Sequence, residues 1–390
     1  MRTLSILLCF FAVLLLAGCG AAPGKALPEA SAPEVTVPEA PPAVTPPPAT
    51  LPPDPIGGIL EGLTIEERVG QLFLARCDDA SALEDIQKYH LGGFVLFGAD
   101  FENETPDTLR SKLERYQAAA RLPLLLAVDE EGGSVTRVSR YSAFRGEPFS
   151  SIRSLYAGGG IDWVLTVEEE KCRLLKSLGL NVNLGPVCDI STEPGAFMYQ
   201  RSLGQDAETT AAVAANLVTL MKRDQIGSVL KHFPGYGNNT DTHTGIAVDS
   251  RSLEELERGD LIPFAAGINA GCGAVLVSHT IVEALDAQAP ASLSPTAHSY
   301  LREVMGFNGV ILTDDLVMQA ITDTYGAGDA AVLAVLAGND LLCSTDYATQ
   351  YEAVLAAVME GRVSFDTLNA AVRHVLEWKM DLGLLSGSGS

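Results

Sequence analysis

Residues 310–315 read Val-Ile-Leu-Thr-Asp-Asp, a short apolar run that ends in two carboxylates. Similar runs of three to five residues recur along the chain, separated by segments with helical periodicity. Eight alternating strand and helix units predict an α/β protein with a (β/α)8 TIM barrel rather than an open sheet. The predicted strands are Leu72–Ala75, Gly93–Phe97, Leu124–Val128, Asn181–Leu184, Ser228–Leu230, Ala274–Val277, Val310–Leu312 and Leu341–Cys343.

The runs lie within a stretch that has the length of one barrel domain. We expect a single catalytic domain over residues 59–385, followed by a flexible Gly-Ser tail at 386–390. Apolar residues at helical spacing predict one helix from Leu253 to Ile268 and a closing helix from Phe365 to Leu382.

The N-terminal residues have the composition of an export signal. Arg2 supplies a positive charge, and Leu4 to Leu16 form an apolar run too short for a spanning helix. The run ends in Leu-Ala-Gly-Cys at 16–19, which resembles the bacterial lipobox. Residues 1–18 are therefore predicted to be a lipoprotein signal peptide, with Cys19 lipidated and the protein held on the membrane outside the cytoplasm. The alternative is a plain signal peptide with a chance cysteine.

Residues 19–58 are predicted to form a Pro- and Ala-rich tether. They contain almost no large hydrophobic side chains, so they cannot bury enough apolar surface to offset the chain entropy lost on folding. A stiff, extended segment of this kind would hold the domain away from the bilayer or serve only as a spacer.

Charge and cysteine content exclude several classes of function. The net charge of -23 argues against nucleic acid, because phosphate binding needs clustered Lys and Arg. The five cysteines after the tether are scattered, odd in number and without metal-ligand spacing, which predicts buried thiols rather than disulfides or a zinc site. No metal or organic cofactor is implied, and we expect a monomer.

Charged residues follow several of the predicted strands directly. The third strand runs into Asp129-Glu130-Glu131, the fifth into Lys231-His232, and the seventh into Asp314-Asp315. Because catalysis in a (β/α)8 barrel takes place at the C-terminal ends of the strands, these side chains predict an active site there. His279, after the sixth strand, is predicted either to line that site or to pack in the core, and His298 to lie on the surface.

Four motifs resemble family 3 glycoside hydrolases, in particular the single-domain β-N-acetylglucosaminidase branch. The Lys-His-Phe-Pro-Gly run followed by Asp-x-His is the most specific, because it separates this branch from the β-glucosidases of the family. The motifs are Val-Asp-Glu-Glu-Gly-Gly-Ser-Val-Thr-Arg (128–137), Leu-Gly-Pro-Val-Cys-Asp-Ile (184–190) with Arg-Ser-Leu (201–203), Lys-His-Phe-Pro-Gly-Tyr-Gly (231–237) with Asp-Thr-His (241–243), and Gly-Val-Ile-Leu-Thr-Asp-Asp-Leu-Val-Met (309–318).

The resemblance implies a role for each matching residue. Asp314 matches the nucleophile of a retaining glycosidase, although an aspartate there could instead cap the following helix. Asp241 and His243 match an acid/base dyad, and an imidazole suits that role because its ordinary pKa lies near 6.5. An Asp-x-His in a polar loop could otherwise be a solvated surface pair. A metal site built from His232, Asp241 and His243 lacks a familiar ligand spacing.

The remaining matches imply a pocket for a sugar. Asp129 matches an acceptor for hydroxyls at the non-reducing end, and four other residues match further sugar-binding positions. Structural ion pairs for the arginines and a core position for the histidine are the alternatives. Ser134 and Tyr236 depart from the family pattern beside the site, and these departures concern fine specificity more than activity. The four further positions are Arg137, Arg201, Lys231 and His232.

The expected activity is hydrolysis, with retention, of terminal β-linked N-acetylglucosamine from peptidoglycan-derived sugars. Two related alternatives are a β-N-acetylglucosaminide phosphorylase and another exo-β-glycosidase working at the same site. The alternative from another class is a non-catalytic lipoprotein that binds cell-wall sugars, although such a binder would not need Asp314, Asp241 and His243 together.

Overall fold

The computed structural model of the chain describes residues 54–238 and 245–386. The predicted signal peptide, Cys19 and the tether up to residue 53 lie outside the described residues. So do Asp241, His243 and residues 387–390 of the predicted tail. Among the residues that are described, none of the helices has both the length and the apolar character needed to cross a membrane.

Eight parallel strands form the predicted barrel. Around it they follow the order β10-β1-β2-β3-β4-β5-β7-β9, and a bridge between Leu312 and Leu341 joins the last strand to the first. The barrel strands are β1 (Phe73–Arg76), β2 (Gly93–Leu96), β3 (Leu125–Val128), β4 (Val182–Asn183), β5 (Gly227–Phe233), β7 (Ala274–Val277), β9 (Val310–Thr313) and β10 (Leu342–Ser344). The prediction of a (β/α)8 barrel is thus confirmed.

Both faces of the barrel strands are buried, which explains why they are continuous apolar runs rather than alternating ones. Alternate side chains such as Leu74, Val95 and Leu276 fill the interior in one cluster. Side chains between them, such as Phe73 and Phe94, pack outwards in the largest core cluster, beneath the helices.

Helices cover the outside of the barrel, and several begin at side chains that cap them. Thr64 and Glu67, for example, form a reciprocal capping box at the start of α2. The α-helices of the described residues are α1 (Pro55–Glu61), α2 (Ile65–Gln71), α3 (Ala82–Tyr89), α4 (Pro106–Ala119), α5 (Ile152–Leu178, kinked at Gly159 and Gly160), α6 (Ala207–Arg223), α7 (Leu253–Glu257), α8 (Leu261–Asn269), α9 (Pro295–Ser299), α10 (Gln319–Thr322), α11 (Ala327–Ala337), α12 (Tyr347–Met359) and α13 (Phe365–Asp381).

The predicted helix from Leu253 to Ile268 is wrong as a single element, because it divides into α7 and α8. Pro263 lies in the first turn of α8, where its missing N–H needs no partner. In one continuous helix that missing N–H would break the hydrogen-bond ladder at the same point. The closing helix, by contrast, is α13, nearly as predicted.

Regular structure begins earlier than the predicted boundary at residue 59. Helix α1 starts at Pro55, and the Asp54 side chain accepts a hydrogen bond from Gly57 N at 2.9 Å. Asp54 also pairs with Arg373 of α13 at 2.8 Å. Residues 55–58 are therefore helical rather than part of a tether.

A short parallel ladder outside the barrel has no counterpart in the sequence prediction. It joins β6 (Val248–Asp249) to β8 (Ile281–Val282), which lie in the segments that follow β5 and β7. These segments have two residues each, too short for a periodicity signal.

Candidate active site

A cleft of about 1020 Å³ opens at the C-terminal ends of the barrel strands. All the sequence-predicted site residues that the structure describes line this one cleft. They are Asp129, Arg137, Arg201, Lys231, His232 and Asp314. These six residues lie together at the strand ends, as the sequence predicts for an active site, while Asp241 and His243 lie outside the described residues.

Strand β5 contributes two consecutive side chains to the cleft. In a regular strand Lys231 and His232 would point to opposite faces of the sheet. The pairing of β5 with β7 shifts register between Leu230 and Phe233, and an irregularity of this kind redirects side chains. Both Lys231 and His232 therefore face the cleft although they are neighbours in sequence.

Lys231 forms a buried ion pair with the carboxylate that ends β3. Its Nζ lies 2.6 Å from Asp129 Oδ1, and the Arg137 guanidinium lies 3.9 Å from the other oxygen of Asp129. Burial alone would lower the pKa of Lys231, but the Asp129 and Glu131 carboxylates raise it above its usual value. Lys231 thus stays a cationic donor although only 2% of its side chain is exposed.

Glu131 lies among the charged residues that the sequence places at the strand ends, but the sequence reasoning assigned it no role. Its carboxylate accepts from Arg201 through two nitrogens, at 3.0 and 2.6 Å, and lies 2.7 Å from Lys231 Nζ. Burial would raise the pKa of Glu131, but the charges of Lys231 and Arg201 outweigh it and hold the pKa well below its usual value. Its place two residues after Asp129 was a usable signal, but its pairing with Arg201 spans 70 residues of chain.

His232 is held between a carboxylate and a guanidinium. Its Nδ1 lies 2.7 Å from Asp189 Oδ2, and its Nε2 lies 3.3 Å from the Arg201 guanidinium. Asp189 is fully buried beyond β4 and was not assigned a role from the sequence, although it stands in one of the motifs. The side chain of Tyr236 packs edge-on against the His232 ring at 5.2 Å.

Asp314 follows β9, is half-buried and lines the cleft. Its backbone N–H donates to Val277 O at 3.3 Å, and one of its carboxylate oxygens accepts from Asp315 N at 2.9 Å. These contacts hold its backbone and carboxylate in the strand-end position that the sequence predicts for a nucleophile.

Asp315 has a separate structural role. Its carboxylate accepts from Val317 N at 3.2 Å and from the hydroxyl of Thr345 at 2.6 Å. It therefore fixes the turn after β9 and ties it to the end of β10. Helix α10 begins later, at Gln319, so neither aspartate caps it.

Glu130 organises the loop that carries Arg137. Its buried carboxylate accepts from the backbone N–H groups of Arg137 and Val138, both at 2.7 Å. The loop turns sharply at Gly132, where φ is +104° and an added Cβ would lie 2.3 Å from Ser150 O. Only glycine fits this position without strain.

Two other histidines were interpreted from sequence. His279 is fully buried, with Nδ1 2.7 Å from Ser292 Oγ and Nε2 3.0 Å from Asp315 O. It does not line the cleft, so the packing alternative holds. The prediction that His298 lies on the surface is wrong: it is 3% exposed, and its Nδ1 is 2.8 Å from Ser294 O.

Further residues that line the cleft were not candidates from the sequence. Arg76 at the end of β1 lies over the Phe97 ring at 4.7 Å, beyond the end of β2. Phe197 and Gln200 border the cleft from the long segment after β4. The cleft therefore has aromatic walls as well as charged groups.

One group of metal-ligand type occurs among residues 54–238 and 245–386. It comprises Cys77, Asp79 and Asp100. Cations of the protein already face its carboxylates, since Lys112 Nζ lies 2.7 Å from Asp79 and Arg76 lies 2.7 Å from Asp100. The five described cysteines are free and buried, as predicted.

The cleft suits a neutral, polyhydroxylated ligand. Asp129 offers acceptor oxygens, and Lys231, Arg137 and Arg201 offer donors, which together match the two-way hydrogen bonding of hydroxyl groups. Asp314 supplies a carboxylate at the same cavity. Such an arrangement can bind a sugar ring and attack its anomeric carbon.

Comparison with known proteins agrees with this chemistry. The sequence model for the family described as glycosyl hydrolase family 3 N terminal domain matches residues 64–378 of this chain. The chain belongs to glycosyl hydrolase family 3. This family 3 glycoside hydrolase is 32% identical to beta-hexosaminidase LpqI of Mycobacterium tuberculosis over 293 residues, which cover 73% of this chain and 74% of the relative. It is 35% identical to a beta-hexosaminidase of Stenotrophomonas maltophilia over 310 residues, covering 74% of this chain and 90% of the relative.

Solved structures include similar barrels. A family 3 β-N-acetylglucosaminidase from Paenibacillus superposes with a TM-score of 0.77 at 32% identity, covering 84% of this chain and 64% of that one. The structure of M. tuberculosis LpqI also gives a TM-score of 0.77, at 28% identity, covering 84% of this chain and 96% of that one.

Proposed function

We propose that this family 3 glycoside hydrolase is a retaining exo-β-N-acetylglucosaminidase. The single observation that carries the proposal is the placement of Asp314 in the same cleft as Asp129, Lys231, Arg201 and His232. The relatives named beta-hexosaminidase support the choice of an N-acetylhexosamine as the substrate.

In the proposed mechanism Asp314 attacks the anomeric carbon and forms a covalent glycosyl-enzyme. The leaving oxygen takes a proton from His243 as its bond to the anomeric carbon breaks. Water then attacks the same carbon, His243 takes a proton from that water, and the Asp314 carboxylate leaves. Two inversions at one carbon give net retention. Asp241 orients the imidazole and stabilises its cationic form.

In this proposal the cluster around Asp129 binds the terminal sugar. Its carboxylate, braced by Lys231 at 2.6 Å and near Arg137 at 3.9 Å, would accept hydrogen bonds from hydroxyls at the non-reducing end. Such contacts would engage the last sugar of a chain, and the proposal therefore specifies exo action.

Peptidoglycan-derived saccharides outside the cytoplasmic membrane are the proposed substrates. This part of the proposal rests on the signal-like N-terminus and on Cys19. Replacing Cys19 by Ala should release the protein from the membrane fraction into the medium. Unchanged membrane retention of Cys19→Ala would rule out the lipid anchor without affecting the catalytic proposal.

The experiment that tests the activity compares nitrophenyl β-glycosides of N-acetylglucosamine, N-acetylgalactosamine and glucose. We expect the fastest nitrophenol release from the N-acetylglucosaminide, a β-configured first product by NMR, and no dependence of the rate on added phosphate. No turnover of any of the three would indicate a binding protein. A rate that requires phosphate would indicate a phosphorylase, and a preference for glucose would indicate a different exo-β-glycosidase.

A further inference from the structure

A buried carboxylate behind the cleft joins two parts of the site that the mechanism treats separately. Asp189 is 0% exposed, and both of its oxygens accept hydrogen bonds. Oδ2 accepts from the ring Nδ1 of His232 at 2.7 Å and from its backbone N at 3.2 Å, while Oδ1 accepts from Tyr236 N at 2.8 Å. One side chain therefore holds the end of β5 and the first residues of the segment that follows it.

These contacts determine which ring nitrogen of His232 carries the proton. A carboxylate can only accept, so the nitrogen that faces Asp189 must be an N–H donor. The other nitrogen, Nε2, faces an Arg201 guanidinium nitrogen at 3.3 Å, and a guanidinium can only donate. Both neighbours therefore favour the tautomer with hydrogen on Nδ1 and a lone pair on Nε2.

The lone pair on Nε2 remains usable by a ligand. At 3.3 Å the contact with Arg201 is near the upper limit of distance for a hydrogen bond, so it is weak and a ligand hydroxyl can replace it. Arg201 is instead held tightly by Glu131, which binds two of its nitrogens. Nε2 is thus an acceptor that lies next to a donor, the Arg201 guanidinium. A single hydroxyl group can donate to Nε2 and accept from the guanidinium at the same time.

We propose that Asp189 is a positioning residue that fixes His232 as an acceptor for a sugar hydroxyl, an inference whose kinetic part rests on the proposed function. His232 binds the substrate, and Asp189 acts through it. The same carboxylate also accepts from Tyr236 N. It therefore fixes the position of the His232 ring relative to the first residues of the segment that follows β5.

The tautomer can be measured directly. The sequence contains six histidines, so a long-range 1H–15N spectrum of the full chain labelled with 15N-histidine can be assigned to His232 by subtracting the spectrum of His232→Gln. At neutral pH we expect hydrogen on Nδ1 and a bare Nε2. A spectrum with hydrogen on Nε2, or on both nitrogens, would overturn the proposal even if every Asp189 variant failed to fold.

The variant Asp189→Asn tests the role of the carboxylate. Asparagine has nearly the same shape but carries no charge and only one acceptor oxygen. We expect the Nδ1 proton signal of His232 to move upfield or to be replaced by an Nε2 proton. The value of kcat/KM for the N-acetylglucosaminide should fall about 10- to 100-fold, as for loss of a hydrogen bond to a charged group. An unchanged His232 spectrum in a folded Asp189→Asn protein would refute the positioning role.

Asp260→Asn is the matched control. Asp260 is also a buried carboxylate near the start of the same segment, since an added Cβ on Gly235 would lie 2.5 Å from its Oδ1. Its ion-pair partner is Arg251 rather than a histidine. Asp260→Asn should lower stability but leave the His232 signals in place. If the wild-type protein had no glycosidase activity, the proposed function would fail, yet the spectra would still decide the role of Asp189.

Discussion

The two ends of the barrel are built from different chemistry. At the C-terminal ends of the strands, Asp129, Glu131, Arg201 and Lys231 form a connected set of buried charges around a cleft. At the N-terminal ends, Trp378 of α13 packs across the strands with its side chain 5% exposed. The contrast shows that one sheet can place its functional groups at one end because apolar packing at the other end supports the fold.

The largest effect is expected from Asp314→Ala at the cleft. Removing the proposed nucleophile should lower kcat/KM by more than about 1,000-fold, equivalent to about 4 kcal/mol of transition-state stabilisation. Stability in urea should change little, since the side chain is only half-buried. Asp323→Ala, an exposed aspartate after α10, is the control and should keep full activity. Normal turnover by Asp314→Ala would remove this residue from the mechanism.

Glu131→Gln should damage both stability and binding. It leaves Lys231 and Arg201 buried with less negative charge, and breaking a buried pair costs about 3 to 5 kcal/mol. Urea denaturation should show that loss, and KM should rise as the two cations lose their fixed positions. Glu169→Gln breaks an exposed pair with Arg223 and should cost less than about 1 kcal/mol. Equal losses for the two variants would contradict the idea of a buried charge network.

Gly273→Ala tests the opposite end of the barrel. An added Cβ would lie 1.9 Å from the indole Nε1 of Trp378, so the ring must move. Overpacking of this kind costs about 1 to 3 kcal/mol, which should lower the Tm while the folded protein keeps its kcat/KM. Gly58→Ala in α1, where an added Cβ meets nothing within 4 Å, should be neutral or slightly stabilising. A loss of kcat/KM in folded Gly273→Ala would show that the two ends are coupled.

Lys379→Met should give the smallest effect, and it should be stabilising. Lys379 is fully buried beside Trp378 and donates to Gln71 Oε1 at 2.7 Å, and burial lowers its pKa to about 7. Because the ordinary pKa is 10.5, the folded protein binds fewer protons than the unfolded chain between pH 7 and 10.5, and wild-type stability rises with pH across that window. Methionine removes this cost but loses the hydrogen bond and leaves the buried Gln71 oxygen without that donor, so we expect a net gain of about 1 to 2 kcal/mol at pH 7.

The pH series provides the check on Lys379. The advantage of Lys379→Met over wild type, measured by urea denaturation, should shrink as pH rises from 7 towards 10.5. An advantage that stays constant over this range would mean that desolvation of the ammonium is not the cause.

The sequence by itself determined the barrel, because each strand is a local apolar run and each helix a local periodicity. It also indicated which residues at the C-terminal ends of the strands belong to the site, because packing alone does not explain charged side chains directly after buried strands. Asp314 and Lys231 could be predicted in this way. The helix at 253–268 could not, because Pro263 permits either a first turn or a break.

Only the tertiary structure decided which polar groups pair. Glu131 meets Arg201 across 70 residues, His232 meets Asp189 across 43, and Lys379 meets Gln71 across 308. Such distances depend on how strands and helices from separate parts of the chain meet when the barrel closes, and on the register shift in β5 that turns two neighbouring side chains to one face. Local sequence patterns do not show how the barrel closes, because closure depends on all of its strands together.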